Sequence, residues 1–126
     1  MKLTLEGIKD KQLWSQAGIE LPSYDLEELA QRTKEAPVWV HFGIGNIFRI
    51  FIGSIADRLI TDGLMDRGIV CVETFDYETI DRIYKPYDNL SLSVILNNDG
   101  TTEKRVFGCF TEAWKGLPDG TEDKIG

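Results

Sequence analysis

One histidine and two cysteines are all that 126 residues offer by way of soft metal ligands. His41, Cys71 and Cys109 stand far apart, with none of the close pairings that ligating spacing requires, so no resident metal is expected. Each cysteine lies in an apolar run and reads as a small buried hydrophobe of a reducing compartment. Runs of Lys and Arg are also missing, and the net charge is −7, which argues against a nucleic acid or an acidic membrane surface as partner. No stretch approaches the ~20 apolar residues of a membrane span, and the opening MKLTLEGIKDKQLW lacks the apolar core of a signal peptide. The expectation is a cytoplasmic protein without a membrane partner. Asn89-Leu90-Ser91 matches a glycosylation acceptor, which without a secretion signal is a chance match.

What is present is a globular composition, 42% apolar and 28% charged, sized for one domain and short for a complete two-domain enzyme. Residues 1–22 read as an arm with a turn or two of helix around Asp10 to Ala17, its Leu13 and Trp14 lying on the main body. Residues 23–126 form that body. Asp25 with Glu28 resembles a capping box that opens a helix, and Pro37 ends it. Val38 to Phe42 then reads as a strand buried on both faces, as in a parallel sheet. From Asn46 to Asp62 an apolar stripe of Ile47, Phe51, Ile55 and Leu59 marks a helix, widened by Phe48, Ile52, Ala56 and Ile60. Gly53 inside that helix costs ~1 kcal/mol relative to alanine, so a close approach between helix and strand is expected there.

A second strand spans Gly68 to Phe75, and a helix from Tyr77 to Tyr84 stops at Pro86. The order β-α-β-α begins a doubly wound α/β sheet. The pattern then turns to period two: Leu90, Leu92, Val94 and Leu96 alternate with Ser91, Ser93 and Asn97. The turn Asn97-Asn98-Asp99-Gly100 and a return strand from Arg105 to Glu112 complete an expected β-hairpin. Gly116 to Gly126 reads as a loop or frayed tail. The fold class expected is α/β, a partial Rossmann-type doubly wound sheet with a β-hairpin toward the C-terminus.

The chemistry centres on Gly43-Ile44-Gly45, a G-x-G between the first strand and its helix. Such a turn offers free backbone N–H groups at a helix N-terminus, where a pyrophosphate binds. Gly43 permits the tight turn and Gly45 the close approach of the phosphates, with Ile44, Asn46 and Ile47 completing the loop. The third glycine of G-x-G-x-x-G is missing, and Phe48 in its place implies wider helix–sheet spacing. Arg49 lies in the first helical turn, where a cation is unfavourable unless an anion is bound beside it. It is assigned either to a cofactor phosphate or to a neighbouring carboxylate. Glu73 and Asp76, 28 and 31 residues after Gly45, end the second strand. A carboxylate there accepts bonds from ribose hydroxyls and repels a 2′-phosphate, favouring NAD over NADP. Glu73 is the first choice for the ribose, and Asp76 the expected cap of the next helix. His41 reads as a packed histidine before a general base.

The run His41-Phe42-Gly43-Ile44-Gly45-Asn46-Ile47-Phe48-Arg49 resembles the G-x-G-x-x-x-R cofactor signature of the mannitol dehydrogenase family, the polyol-specific long-chain dehydrogenases and hexuronate reductases. The entry segment Leu21-Pro22-Ser23-Tyr24-Asp25 and the hairpin around Asp99-Gly100-Thr101 are similar to that family too, so the resemblance covers about residues 21 to 113. It implies a Rossmann-type cofactor domain and hydride transfer between NAD and a polyol, polyol phosphate or sugar acid. It also implies a catalytic K-x-x-x-x-N-x-x-H pattern, which these 126 residues do not contain. The expectation is a cofactor-side piece without catalytic residues, inactive alone, with an open sheet edge suited to self-association. Two alternatives stand beside it: an S-adenosylmethionine-binding fold, which has no phosphate for Arg49, and a non-catalytic nucleotide-binding or interaction domain.

Overall fold

A computed structural model describes residues 1–118. The Gly116 to Gly126 tail therefore lies mostly outside the described residues. The arm begins with a 3₁₀ turn, Gly7–Lys9, and helix α1, Lys11–Gln16, whose first turn is capped by the Asp10 carboxylate accepting from Leu13 N at 3.3 Å. Trp14 is buried and its indole donates to Gly7 O at 2.9 Å, whereas Leu13 faces solvent. Helix α2, Leu26–Glu35, is capped by Asp25, which accepts from Glu28 N at 3.1 Å. Glu28 does not complete the box; it pairs with Arg32 instead.

Among the described residues, six strands form two three-stranded sheets. One holds β2 (Val40–Phe42), β3 (Ile69–Glu73) and β6 (Phe110–Lys115), all parallel, in the order β2-β3-β6. The other holds β1 (Ile19–Glu20), β5 (Thr102–Phe107) and β4 (Ser91–Leu96), with β4 and β5 as the hairpin and β1 parallel to β5. The arm thus contributes a strand to the hairpin's sheet. Its Ile8 and Trp14 share a small core with Leu90 and Val106.

The main core lies around the parallel sheet and includes Ile44, Phe48, Ala56, Ile69, Cys71, Tyr84 and Phe110. Both cysteines are free and buried, and burial pushes both thiols up. Thr33, fully buried on α2, ties that helix to the sheet: its hydroxyl donates to Leu29 O and accepts from Gly68 N at 2.8 Å. A π-type turn, Phe48–Ile52, leads into α3, Gly53–Thr61. Gly53 is where the helix comes closest to the strands, since a Cβ there would stand 2.7 Å from the Phe110 ring and 3.2 Å from that of Phe107. The close approach expected from the sequence is present.

Several expectations are corrected. The first strand is not buried on both faces: Val40 and His41 are half-buried and Val38 and Phe42 exposed, and among the described residues β2 is also an edge of its sheet. Within the helix, Ile47, Phe51 and Ile55 point outward while Phe48, Ala56 and Ile60 pack inward. The helix is apolar on two faces, and this chain supplies a partner for only one. The return strand divides at Gly108-Cys109: β5 stays in the hairpin, and the remainder turns away to become β6, the third parallel strand. The period-two alternation of the hairpin left open which face turns inward, and the structure turns the serine face in. Ser91 and Ser93 are buried, and Leu92, Val94 and Leu96 are exposed.

The inward serine face leaves room for a buried polar link. Asp57 of α3, only 2% exposed, accepts from Tyr24 Oη at 2.6 Å and from Arg105 Nε at 2.7 Å. Arg105 extends the link to Glu20 and Thr61, and Tyr24 Oη accepts from Gly108 N. Entry segment, α3 and hairpin are thereby tied through one carboxylate.

Candidate nucleotide site

Strand β2 ends at Phe42, and the next residue turns the chain sharply: Gly43 has φ +87°, a conformation glycine adopts without strain. Its N–H still bonds to Val72 O at 2.9 Å, so the turn starts flush with the sheet. The first helical hydrogen bond runs from Arg49 N to Gly45 O at 3.1 Å, making Gly45 the helix cap. The N–H groups of Gly45, Asn46, Ile47 and Phe48 consequently have no acceptor one turn back. A Cβ on Gly43 or Gly45 would meet nothing within 4 Å. Open space in front of unpaired N–H donors at a helix start is what a pyrophosphate requires.

Arg49 adds the charge. Its Nη2 donates to Asn46 Oδ1, an amide and not a carboxylate, and its Nε is buried with no hydrogen-bond partner among the described residues. A buried guanidinium nitrogen left unpaired is costly, and an anion in the loop would satisfy it. Phe48, standing where the generic fingerprint has glycine, is buried, stacks on His41 with ring centroids 4.3 Å apart, and packs against Phe110 at 5.1 Å. The π-type turn begins at it. His41 is half-buried on the edge strand and packs on Phe48, and its ring makes no hydrogen bond among the described residues.

Of the two acids at the end of β3, it is Glu73 and not Asp76 whose carboxylate binds backbone. Asp76 does not cap the next helix; it is exposed, and its side chain makes no hydrogen bond among the described residues. Glu73, 8% exposed, does the backbone work: Oε2 accepts from Phe75 N at 3.0 Å and Asp76 N at 3.3 Å, and Oε1 accepts from Ile44 N at 3.3 Å. The physical reason is placement. Glu73 is the last residue of a fully buried strand, so its carboxylate must find donors nearby, and the glycine turn and strand end provide them. Gly43, Ile44, Gly45, Asn46, Arg49 and Glu73 are thereby gathered at the C-terminal ends of β2 and β3. Ile47 points outward beside them, and Asp76 stands at the rim.

Sequence reasoning missed Tyr84. Fully buried at the end of the π-type helical segment Ile80–Tyr84 that follows β3, it donates from Oη to Ile44 O at 3.0 Å. Burial, aided by nearby buried thiols, pushes its hydroxyl up beyond the usual tyrosine range, so it stays a donor. The only signal in sequence was a tyrosine at an inward helical position. No group of three or more His, Cys, Asp or Glu among the described residues is arranged to hold a metal. A cavity of about 560 Å³ lies elsewhere, between α3 and the hairpin, and shares no residue with the glycine turn.

No protein-family model matches the chain. It is 49% identical over 118 residues to the D-mannonate oxidoreductase of Thermotoga maritima, a match covering 94% of this chain and 22% of that protein. Among solved structures, it resembles the mannitol 2-dehydrogenase of Pseudomonas fluorescens in its ternary complex with NAD and D-mannitol. That likeness has a TM-score of 0.69 and 25% identity, and covers 91% of this chain and 22% of the other. A D-sorbitol dehydrogenase in substrate-free form shares the fold at a TM-score of 0.64 and 24% identity, over 82% of this chain and 20% of the other. The chain spans about a fifth of the length of each. In that identity, that shared α/β architecture, and a G-x-G-x-x-x-R turn joining its first parallel strand to its helix, the chain resembles the amino-acid sequence and fold of these polyol and sugar-acid dehydrogenases of the mannitol dehydrogenase type.

Proposed function

We propose that this chain is the cofactor-side part of an NAD-dependent oxidoreductase that moves hydride between the nicotinamide and a CH–OH or C=O carbon of a polyol, polyol phosphate or hexuronate. The observation that carries the reading is Arg49: a buried, unpartnered guanidinium nitrogen beside the open N–H groups of Gly45, Asn46 and Ile47. The donor set fits a pyrophosphate. Glu73 and Asp76 at the end of β3 suit a ribose with free hydroxyls, and their charge favours NAD over NADP. The relatives' names, a D-mannonate oxidoreductase and a mannitol 2-dehydrogenase, support the substrate class. The domain reading is an arm of residues 1–22 and a partial dinucleotide-binding domain of residues 23–126. The hydride-transfer machinery lies outside these residues, and the setting is cytoplasmic carbohydrate metabolism. No described helix is long and apolar enough to cross a membrane.

Calorimetric titration of the chain with NAD, NADP and S-adenosylmethionine tests the reading. NAD binds tightest, NADP more weakly, and S-adenosylmethionine not detectably. Arg49→Ala weakens NAD about tenfold or more, as loss of a charge-assisted phosphate contact does. Tighter binding of S-adenosylmethionine than of NAD would overturn it. The 126-residue chain alone gives no dehydrogenase turnover.

A further inference from the structure

Ile44, the middle residue of the glycine turn, is held at three points. Its side chain is fully buried in the main core. Its N–H donates to Glu73 Oε1 and its carbonyl accepts from Tyr84 Oη, so both backbone polar groups are taken by side chains 29 and 40 residues away. Both flanking residues are glycines, the two positions at which a chain is freest to wander. A turn of that kind is ordered only by what grips its centre.

We infer that Tyr84 is a positioning residue of the nucleotide site: with Glu73 it clamps Ile44 and so aims the N–H groups of Gly45 and Asn46 at the pyrophosphate. Tyr84 touches no ligand position itself. Its ring is fixed edge-on against Phe110, with centroids 6.1 Å apart, which gives the hydroxyl one place to point. It also lies within electrostatic reach of Arg49, so clamp and phosphate-facing cation share one neighbourhood. Two separate elements, β3 and the helix after it, thus determine where a flexible loop stands. Binding improves because the loop's ordering is settled before the ligand arrives.

The inference rests on the NAD reading above, and the test separates the two. In Tyr84→Phe, NAD affinity falls about tenfold, the size of one well-placed hydrogen bond. Binding of adenosine, which has no pyrophosphate, stays unchanged. Amide hydrogen exchange at Ile44 and Arg49, the hydrogen-bonded amides of the turn and of the first helical turn, speeds up, while exchange at Val70 and Cys71 in β3 does not. A merely structural tyrosine would loosen strand and loop together and weaken both ligands alike. Glu73→Gln provides a second variant, read by exchange alone: one amide oxygen cannot serve Ile44 N and the strand-end N–H groups together, so the same loop amides speed up. Unchanged loop exchange in both variants, or unchanged NAD affinity in folded Tyr84→Phe, overturns the clamp. If the unaltered chain binds no NAD, the cofactor reading falls, and the clamp is judged on exchange alone.

Discussion

Glu73 and Asp76 differ by three positions and by everything that burial decides. The sequence places two acids after an apolar strand, which was enough to mark them as ribose candidates. It does not say which is the last buried residue, because that depends on where the strand leaves the sheet. In the structure the Glu73 carboxylate accepts three backbone N–H bonds, and the Asp76 carboxylate none among the described residues. Glu73→Ala is therefore expected to cost about 2–3 kcal/mol of unfolding free energy, the penalty for stranding buried donors. Asp76→Ala should stay within about 0.5 kcal/mol of the parent. Urea midpoints measure both, and equal losses would refute the assignment. The tyrosines give a pH signature of the same kind. Burial pushes the Tyr24 and Tyr84 hydroxyls above the usual range, Tyr24 further raised by Asp57. A folded-state value above the unfolded one means the stabilisation is complete below the unfolded tyrosine value of about 10 and is lost as pH rises past it. Of the four tyrosines, these two should ionise only as the chain unfolds, seen as a delayed second phase in phenolate absorbance.

At the scale of elements, the strands and helices of the glycine-turn half were legible, and so was the reason for Gly53. Which faces turn inward was not. The helix over residues 46–61 and strand β4 each carry apolar side chains that this chain leaves exposed, so periodicity identified the faces without choosing between them. The division of the return strand has a related cause. Arg105 to Glu112 is apolar enough to read as one strand, and only the break at Gly108 lets Phe110–Lys115 reach β3. Gly53 offers a direct test of the packing. Alanine there gains ~1 kcal/mol of helix propensity, yet its Cβ would press on the buried Phe107 and Phe110 rings. Overpacking costs typically 1–3 kcal/mol, so Gly53→Ala should be net destabilising by about 1 kcal/mol, measured as a lowered thermal midpoint. A stabilised variant would mean the helix does not lie so close. Asp57→Ala should cost more, about 3 kcal/mol, because it strands Tyr24 and a partly buried Arg105 together.

For the molecule as a whole, the governing fact is an unfinished sheet. In a parallel pair, alternate residues bond to the same neighbour. Trp39 O and Gly43 N bond to β3, so Val40 and Phe42 turn their backbone groups toward the open side. Beside that edge stand exposed Phe42, Ile47, Ile50, Phe51 and Ile55, an apolar surface on a chain that spans about a fifth of its relatives. Doubly wound sheets place a further strand next to the first one, at the side where the cofactor crevice forms. An edge left bare and apolar is a template for pairing with another chain. In isolation, then, the 126-residue chain is expected to associate through β2, with its mass by light scattering rising with concentration. Phe42→Lys combined with Phe51→Glu places charge on the strand edge and on the helix beside it, and should return the chain toward monomer at equal concentration. Because Gly43, Ile44 and Gly45 follow directly on that strand, association and NAD binding should compete if the second copy covers the turn. A parent chain that stays monomeric at every concentration would show that the edge is protected by something other than pairing.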